Sequence, residues 1–177
     1  MGKVTEFKKV NLFSGVIFRY PEDLEEVESK LSDFFTEIDF SSDTFDFTFT
    51  DYYFSEMGSP LYRKFLSFSK LISPLKLPDI KNITNEIELE FSNDGRRRVN
   101  LDPGYLSDAN VIIATTKNHY HRIPLANGIY AHMEYIFKNK KIHFMEWTYP
   151  DFRSDNYVRF FNKLMTIYKG KLKKSRG

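Results

Sequence analysis

The chain has 177 residues, a formal charge of +2 from 26 Lys and Arg against 24 Asp and Glu, and no Cys. Its length predicts one domain, and its nearly balanced charge argues against the strongly basic surface of many nucleic-acid-binding proteins. The lack of Cys excludes disulfides, thiolate metal sites and a Cys nucleophile, and it fits a cytoplasmic location. No stretch approaches the ~20 apolar residues of a membrane span, and no signal peptide is evident, so we expect no membrane association.

The first third of the chain predicts a strand, a helix and a second strand. Residues 11–20 are apolar and rich in β-forming residues, and Pro21 with the two acids after it is typical of a helix start. Apolar residues at helical spacing extend this helix to about residue 34. Residues 45–50 alternate Phe with polar residues, which predicts a half-buried strand, and residues 51–58 are expected to form a loop.

The middle of the chain is interpreted from the residues that start or end secondary-structure elements. Residues 63–72 are taken as a strand, and Asp79 is expected to cap a helix that stops at Gly95. The sequence DPGY at residues 102–105 has Pro and Gly where a type II turn requires them. The β-branched run at residues 111–114 predicts a buried strand that delivers the polar residues after it to one end of a sheet.

The second half predicts an antiparallel meander. The Asn-Gly pair at residues 127–128 is typical of a two-residue hairpin turn, which would pair His121 with Glu134 across two strands. In that register Met133 and Tyr135 face the core. A further turn is expected near residue 139, where a second pair of strands meets.

The end of the chain predicts an irregular loop at residues 147–153 and a last helix capped by Ser154 or Asp155. Its basic tail, residues 169–176, is expected to fray. The whole pattern indicates an α+β fold, with a largely antiparallel or mixed sheet and about three helices packed on it, in one domain spanning residues 1–177.

Polar residues suited to an anion are concentrated between residues 95 and 125. Arg binds phosphate and carboxylate through two parallel hydrogen bonds, and His titrates near neutral pH. We therefore predict a pocket for a small phosphorylated, nucleotide-like or carboxylated ligand. The expected ligand-binding residues are Arg96, Arg98, Tyr105, Thr116, Lys117, Arg122, Trp147, Asp151 and Arg153.

His121 is the candidate general base, with Glu134 as its orienting partner and His119 as a further catalytic candidate. Hydrolysis or phosphoryl transfer fits better than redox chemistry, because the chain contains no GxGxxG cofactor fingerprint. The sequence identifies no cofactor, metal or oligomeric state. A metal site at the histidines would need carboxylates from elsewhere, and the candidates are Asp51, Glu56, Asp102 and Asp151.

Each cluster also has a structural interpretation. The three consecutive arginines, residues 96–98, would either clamp an anion or pair with acidic residues and cap the preceding helix. The aromatic residues near Trp147 would either stack on a base or pack against the core. Sequence alone leaves both alternatives open.

Four segments resemble one known family: FTDYYFSEMG (residues 49–58), GRRRVNLDPGYL (95–106), ATTKNHYHRIPLANGIYA (114–131) and WTYPDFRS (147–154). Together they resemble DUF4416, a bacterial and archaeal family of unknown function, over nearly the whole chain. The resemblance implies no activity, substrate or catalytic residue. Some members carry the label "GTP-binding protein", but this chain has no GxxxxGK[ST] loop, and its TKNH at residues 116–119 has His where the guanine-reading motif has Asp.

Three functions follow as alternatives. The first is a domain that binds a small anion, with or without hydrolytic or phosphoryl-transfer activity. The second is RNA binding through aromatic and basic residues, which the near-neutral charge weakens. The third is a non-catalytic interaction or scaffold protein.

Overall fold

The computed structural model describes residues 2–175, and within them one antiparallel sheet carries helices on both faces. The strands are β1 (Val10–Phe18), β2 (Ile38–Ser41), β3 (Phe45–Asp46), β4 (Tyr62–Ile72), β5 (Ser92–Asn93), β6 (Arg96–Arg97), β7 (Val99–Leu106), β8 (Asn110–Thr115), β9 (Ile123–Pro124), β10 (Tyr130–Lys138) and β11 (Lys141–Phe144). The helices are α1 (Pro21–Phe34), α2 (Phe54–Met57), α3 (Leu77–Glu90) and α4 (Asp155–Lys174). The predicted α+β class is confirmed.

The main sheet has the order β11-β10-β8-β7-β1-β4-β2, with β3 added beside β4 and β9 beside β10. β5 and β6 form a separate hairpin. β1 is an interior strand between β7 and β4, and all nine of its residues are buried because helices cover both faces. This explains why its sequence is mostly apolar rather than alternating, with Asn11 and Ser14 as buried polar exceptions.

The two faces of the sheet bury different side chains. On one face α1 and α3 contribute mainly aliphatic residues, such as Leu31 and Ile87, against Val16. On the other face α4 packs an aromatic cluster around Phe65, whose ring lies 5.1 Å from Phe160. No helix in the described part of the chain is long and apolar enough to cross a membrane.

The predicted turn at residues 102–105 is wrong, since these residues lie within β7. Pro is tolerated there because the β7–β8 ladder begins only at Gly104, one residue after Pro103. Gly104 is required by close packing rather than by a turn. A Cβ at this position would lie 2.3 Å from the carbonyl oxygen of Ile112 and 2.7 Å from the ring of Phe13.

Several boundaries also differ from those predicted. Only Phe45 and Asp46 of the alternating segment pair as a strand, and residues 51–58 contain α2. α3 begins at Leu77, so Asp79 lies in its first turn and is not its cap. Gly95 does not end α3, because it lies with Asp94 at positive φ in the turn between β5 and β6.

The predicted register of the 127–128 hairpin is wrong by one residue. The backbone of Ile129 hydrogen-bonds to both Leu125 and Ala126. Ile123 therefore pairs with Ala131, whereas the two-residue turn predicts that it pairs with His132. A bulge adds one residue to the strand that precedes the turn. The side chains of that strand before the bulge therefore lie on the opposite face from the one predicted.

A second irregularity in β10, between Met133 and Tyr135, buries both Glu134 and Tyr135. Met133 was expected in the core and is only partly buried. The last helix is confirmed from Asp155 onward, and the tail remains helical to Lys174 instead of fraying. Arg176 lies outside the described residues.

Candidate functional site

A cavity of about 630 Å³ lies where β4, β7 and β8 approach α3 and the loops at residues 47–53 and 149–152. Its lining is charged at the base and aromatic at the rim. The lining residues are Phe47, Phe49, Thr50, Tyr52, Tyr53, Arg63, Lys81, Asn85, Glu88, Arg97, Asn100, Asp102, Ile113, Ala114, Thr115, Thr116, Lys117, Tyr149, Pro150, Asp151 and Phe152.

Arg63 on β4 forms the buried centre of this wall. Its side chain, 4% exposed, donates to Asp102 at 2.8 Å and lies 3.6 Å from Asp151. It reaches Asp102 by crossing the neighbouring strand β1 at Gly15, the residue directly opposite Asp102. A Cβ on Gly15 would lie 2.4 Å from the guanidinium, so the glycine makes this ion pair possible.

The two carboxyls around Arg63 differ in their pKa. Burial works to raise both values. The pKa of Asp102 nevertheless lies below its ordinary value, because Arg63, Lys81 and Asn100 favour the ionised form. Burial keeps the pKa of Asp151 above its ordinary value despite the attraction of Arg63.

Arg97 joins α2, α3 and β7 through a second ion network. It donates to both oxygens of Glu56, at 2.7 and 2.8 Å, to Glu88 at 2.7 Å and to Asn100 at 3.0 Å. Glu88 also accepts the backbone N–H of Leu101 at 2.7 Å. The bond to Arg97 holds the pKa of Glu56 below its ordinary value. These bonds fix one wall of the cavity.

Lys117 differs from the other cations of the lining. Its Nζ donates to the Tyr52 hydroxyl at 2.9 Å and lies 4.2 Å from the centre of that ring, and the contact lowers the pKa of Tyr52. No carboxylate of residues 2–175 lies within ion-pair distance of it. A cation without a carboxylate partner therefore stands at the rim.

A chain of three imidazoles and a carboxylate lies beside the cavity. His119 Nδ1 is 3.0 Å from His121 Nδ1, and His121 Nε2 is 3.0 Å from His132 Nδ1. His132 Nε2 lies 3.1 Å from Glu134 Oε1. Tyr149 connects the chain with the cavity, since it lines the cavity and stacks on His132 at 4.7 Å.

Two aromatic residues of the 147–153 loop hold this imidazole chain in place. The ring of Trp147 is nearly parallel to that of His121, with centroids 4.8 Å apart. Tyr149 stacks on His132 and donates its backbone N–H to Glu134 Oε2 at 3.1 Å. The loop thus packs on the imidazoles, while its later residues line the cavity.

His132 and Glu134 are completely buried. Burial, with the positive charge of Arg122, lowers the pKa of His132 to about 4, so this imidazole is neutral at neutral pH. Burial raises the pKa of Glu134 well above its ordinary value, and the bond from Tyr149 opposes that shift. Among the described residues, no group of three or more His, Asp or Glu is arranged to hold a metal ion.

Residues 8–168 match a family model described as a domain of unknown function, DUF4416. The chain belongs to this family. No curated protein matches it, and no solved structure does. The family therefore adds no activity to what the site itself indicates.

The structure places the predicted residues of this DUF4416 chain in three groups. Thr116, Lys117 and Asp151 line the cavity. His119, His121, Arg122, Glu134 and Trp147 lie in or against the imidazole chain. Arg96, Arg98, Tyr105 and Arg153 belong to neither.

Each residue of the third group has another environment. Arg98 pairs with Asp23 at 2.8 Å, and exposed Arg96 lies in a shallower depression with it. Tyr105 packs in an apolar cluster on β7, and Arg153 donates to backbone carbonyls of its own loop. Arg96 and Arg98, which were expected to bind the ligand, therefore lie outside this cavity, and the arginine that lines it is Arg97 between them.

Sequence reasoning missed Arg63, Lys81, Glu88 and His132. Lys81 and Glu88 lie seven residues apart on the buried stripe of α3, and opposite charges on such a stripe indicate a buried pair. Arg63 is the second residue of β4, a strand that is otherwise mostly apolar. His132 alternates with Glu134 on β10, but the ring that stacks on it, Tyr149, comes from a distant segment.

Proposed function

We propose that the cavity of this DUF4416 domain binds a small anionic molecule, and that Lys117 recognises its phosphate or carboxylate group. The observation that carries the proposal is the unmatched charge of Lys117. Arg63, Lys81 and Arg97 each have a carboxylate within 4 Å, so their charge is already compensated. An anion entering the cavity gains most by pairing with the remaining cation.

The dimensions and walls of the cavity favour a ligand with a planar or apolar part. Its volume, about 630 Å³, lies in the range of small-molecule sites. Phe49, Tyr52 and Tyr149 remain 44%, 58% and 37% exposed at its rim. Such rings stack on a planar group at a modest entropic cost, because each has few rotatable bonds.

Of the reactions open to a bound phosphate or carboxylate ester, hydrolysis and phosphoryl transfer suit the site best. The imidazole of His119 lies two residues after Lys117 on the same loop, and imidazole is the common general base near neutral pH. No step of the binding proposal depends on this chemistry.

Thermal-shift screening tests the binding proposal with inorganic phosphate, nucleotides, sugar phosphates and small dicarboxylates. A ligand at 100 times its dissociation constant adds ~2.7 kcal/mol to the free energy of unfolding. We expect a shift with the wild type, its loss in Lys117→Gln, and its retention in Lys169→Gln, which removes an exposed charge of α4 outside the cavity.

Two results would overturn the proposal: no shift with any of these anions, or an equal shift in Lys117→Gln. Single-stranded RNA belongs in the same screen. If RNA alone binds, with an affinity that falls steeply as salt rises, the nucleic-acid alternative is favoured instead.

A further inference from the structure

The imidazole chain has a fixed direction, and Arg122 sets it. The guanidinium Nε–H of Arg122 lies 3.2 Å from His132 Nδ1, and guanidinium nitrogen can only donate. His132 Nδ1 must therefore be the unprotonated nitrogen of a neutral ring. Its proton then lies on Nε2, which faces Glu134.

The remaining tautomers follow from this one. His121 Nε2 faces the same acceptor nitrogen of His132, so it carries the proton of its ring and shares that nitrogen's single lone pair with the Arg122 N–H, and His121 Nδ1 is unprotonated. His119 Nδ1 faces that unprotonated nitrogen and therefore carries a proton. His119 Nε2 is left as the unprotonated nitrogen at the exposed end of the chain, without a hydrogen-bond partner among the described residues.

The buried end of the chain depends on the same contact. His132 Nε2 and Glu134 Oε1 lie 3.1 Å apart with no access to solvent, and neither has an aligned hydrogen-bond partner among the described residues. A buried polar atom without a partner is costly. A proton on Nε2, which faces Glu134 Oε1 at this distance, compensates part of that cost for both atoms, and the second carboxylate oxygen is already bonded to the Tyr149 N–H.

We propose that His119 Nε2 is a general base, and that His121, His132, Arg122 and Glu134 are positioning residues that keep this nitrogen unprotonated and directed outward. The reacting group is an O–H of water or of a hydroxyl compound. The O–H bond breaks, its electron pair stays on oxygen, and the proton forms an N–H bond at His119 Nε2. Glu134 stabilises the resulting imidazolium through the chain, as a carboxylate behind a histidine does in hydrolases.

Arg122 also determines where the positive charge resides. It donates to the carbonyl of Lys117 at 2.7 Å and to the Tyr149 hydroxyl at 2.6 Å, which keeps it beside His132. A proton or a metal ion on His132 Nδ1 would face this guanidinium at 3.2 Å. Charge is thus favoured at His119, the imidazole at the other end of the chain.

Nitrogen-15 NMR of the full chain tests this arrangement, because it distinguishes the two tautomers of each histidine. We expect His119 as the Nδ1–H form, with His121 and His132 as the Nε2–H forms. His143, outside the chain, serves as an internal reference. Arg122→Met should convert His119 to a mixture of tautomers, and Arg96→Met, whose exposed side chain has no ion-pair or hydrogen-bond partner within residues 2–175, should change nothing.

Glu134→Gln provides a second test, because the amide replaces one of the two carboxylate oxygens with an N–H₂ donor, so it cannot face both His132 Nε2 and the Tyr149 N–H with an acceptor. If this buried variant fails to fold, Arg122→Met still decides the question. His119 as the Nε2–H form in the wild type, or no change in Arg122→Met, would overturn the proposal.

Hydrolysis of ethyl dichloroacetate, an ester toward which imidazole acts as a general base on water rather than as a nucleophile, provides a readout of reactivity. We expect His119→Gln to lower the rate roughly a hundred-fold, the lower end of what general base catalysis typically contributes, and Arg122→Met to lower it less. Equal rates in the wild type and His119→Gln would overturn the assignment. Neither readout requires an anion in the cavity, so failure of this proposal and failure of the binding proposal are distinguishable.

Discussion

Two polar clusters meet at Tyr149, and they compensate the loss of water around buried polar groups in opposite ways. On the cavity side the buried cations are matched by carboxylates, as Arg63 is by Asp102 and Asp151, and among the described lining residues it is exposed Lys117 at the rim that lacks such a partner. On the other side the groups are mainly imidazoles, and the innermost, His132, is held neutral by a pKa of about 4. One cluster is closed by pairing, whereas the other has an exposed end.

The difference has a physical origin. Removing a full charge from water costs several kcal/mol unless a partner compensates it, so an ion network is stable only when it is complete. A neutral imidazole donates at one nitrogen and accepts at the other, so it can be buried in a row of hydrogen-bonded rings. The tautomer of each ring then determines the tautomer of the next. Structural roles therefore fit the paired cluster, and chemistry fits the open one.

Arg63→Met should produce the largest effect. The variant leaves buried Asp151 and partly buried Asp102 without their shared ion-pair partner, and breaking a buried pair in this way costs ~3–5 kcal/mol. The unpaired carboxyls would avoid this cost by taking up protons, so the loss should be smaller at pH 4 than at pH 8. Urea unfolding at both pH values measures it.

Lys64→Met is the matched control on the next residue of β4. Lys64 pairs with Glu28 at 2.8 Å, but both side chains are partly exposed, and such a pair contributes ~0–1 kcal/mol. Equal losses in the two variants would show that burial does not distinguish the Arg63 cluster from a surface pair.

Acid should destabilise the protein through His132. Its pKa is about 4 in the folded chain and near the ordinary 6.5 when unfolded, so between these values the unfolded state binds more protons. The contribution is complete above pH 6.5 and is lost as pH falls toward 4, by at most on the order of 3 kcal/mol. The raised pKa of Glu134 acts with the opposite sign as pH rises.

Unfolding free energies from pH 4 to pH 7 test this, with His132→Gln compared to the wild type. The stability of the variant should rise less steeply with pH, whereas His143→Gln, at an exposed position, should follow the wild type. A slope unchanged in His132→Gln would contradict a neutral buried imidazole.

Arg97→Ala should have an intermediate effect. It removes the cation from Glu56 and Glu88, and leaving such groups unsatisfied costs ~1–3 kcal/mol. Arg96→Ala, one residue earlier and exposed, should change stability by no more than ~0.5 kcal/mol. Similar losses in both would mean that the network around Glu88 adds no stability.

The elements that the sequence predicted correctly are those whose structure is determined by neighbouring residues. Pro21 and helical spacing determine α1, and the β-branched run determines β8. The failures depend on distant partners. Gly104 is needed for packing against Phe13, 91 residues away, and the hairpin register depends on a bulge that a two-residue turn signal does not reveal.

The residues of the candidate site show the same difference between local and distant determinants. Lys117 and His119 follow a recognisable strand, so their position at a sheet end was predictable. Arg63 and Glu88 come from elements that sequence presents as packing elements, and their role depends on ion pairs whose partners lie in other segments. The burial of His132 required the correct register of β10, which the predicted turn did not provide.

The smallest effect on stability is expected at the open end of the imidazole chain. His119 is exposed and its Nε2 has no partner among residues 2–175, so His119→Gln should change the free energy of unfolding by no more than ~0.5 kcal/mol. His132→Gln, in the same chain but completely buried, should cost more, since it disturbs the contacts with Arg122 and Glu134. Thermal unfolding of the two variants at pH 7 measures the contrast. If His119→Gln were as destabilising as His132→Gln, the exposed histidine would be a structural member of the chain, and the distinction between a closed and an open cluster would no longer hold.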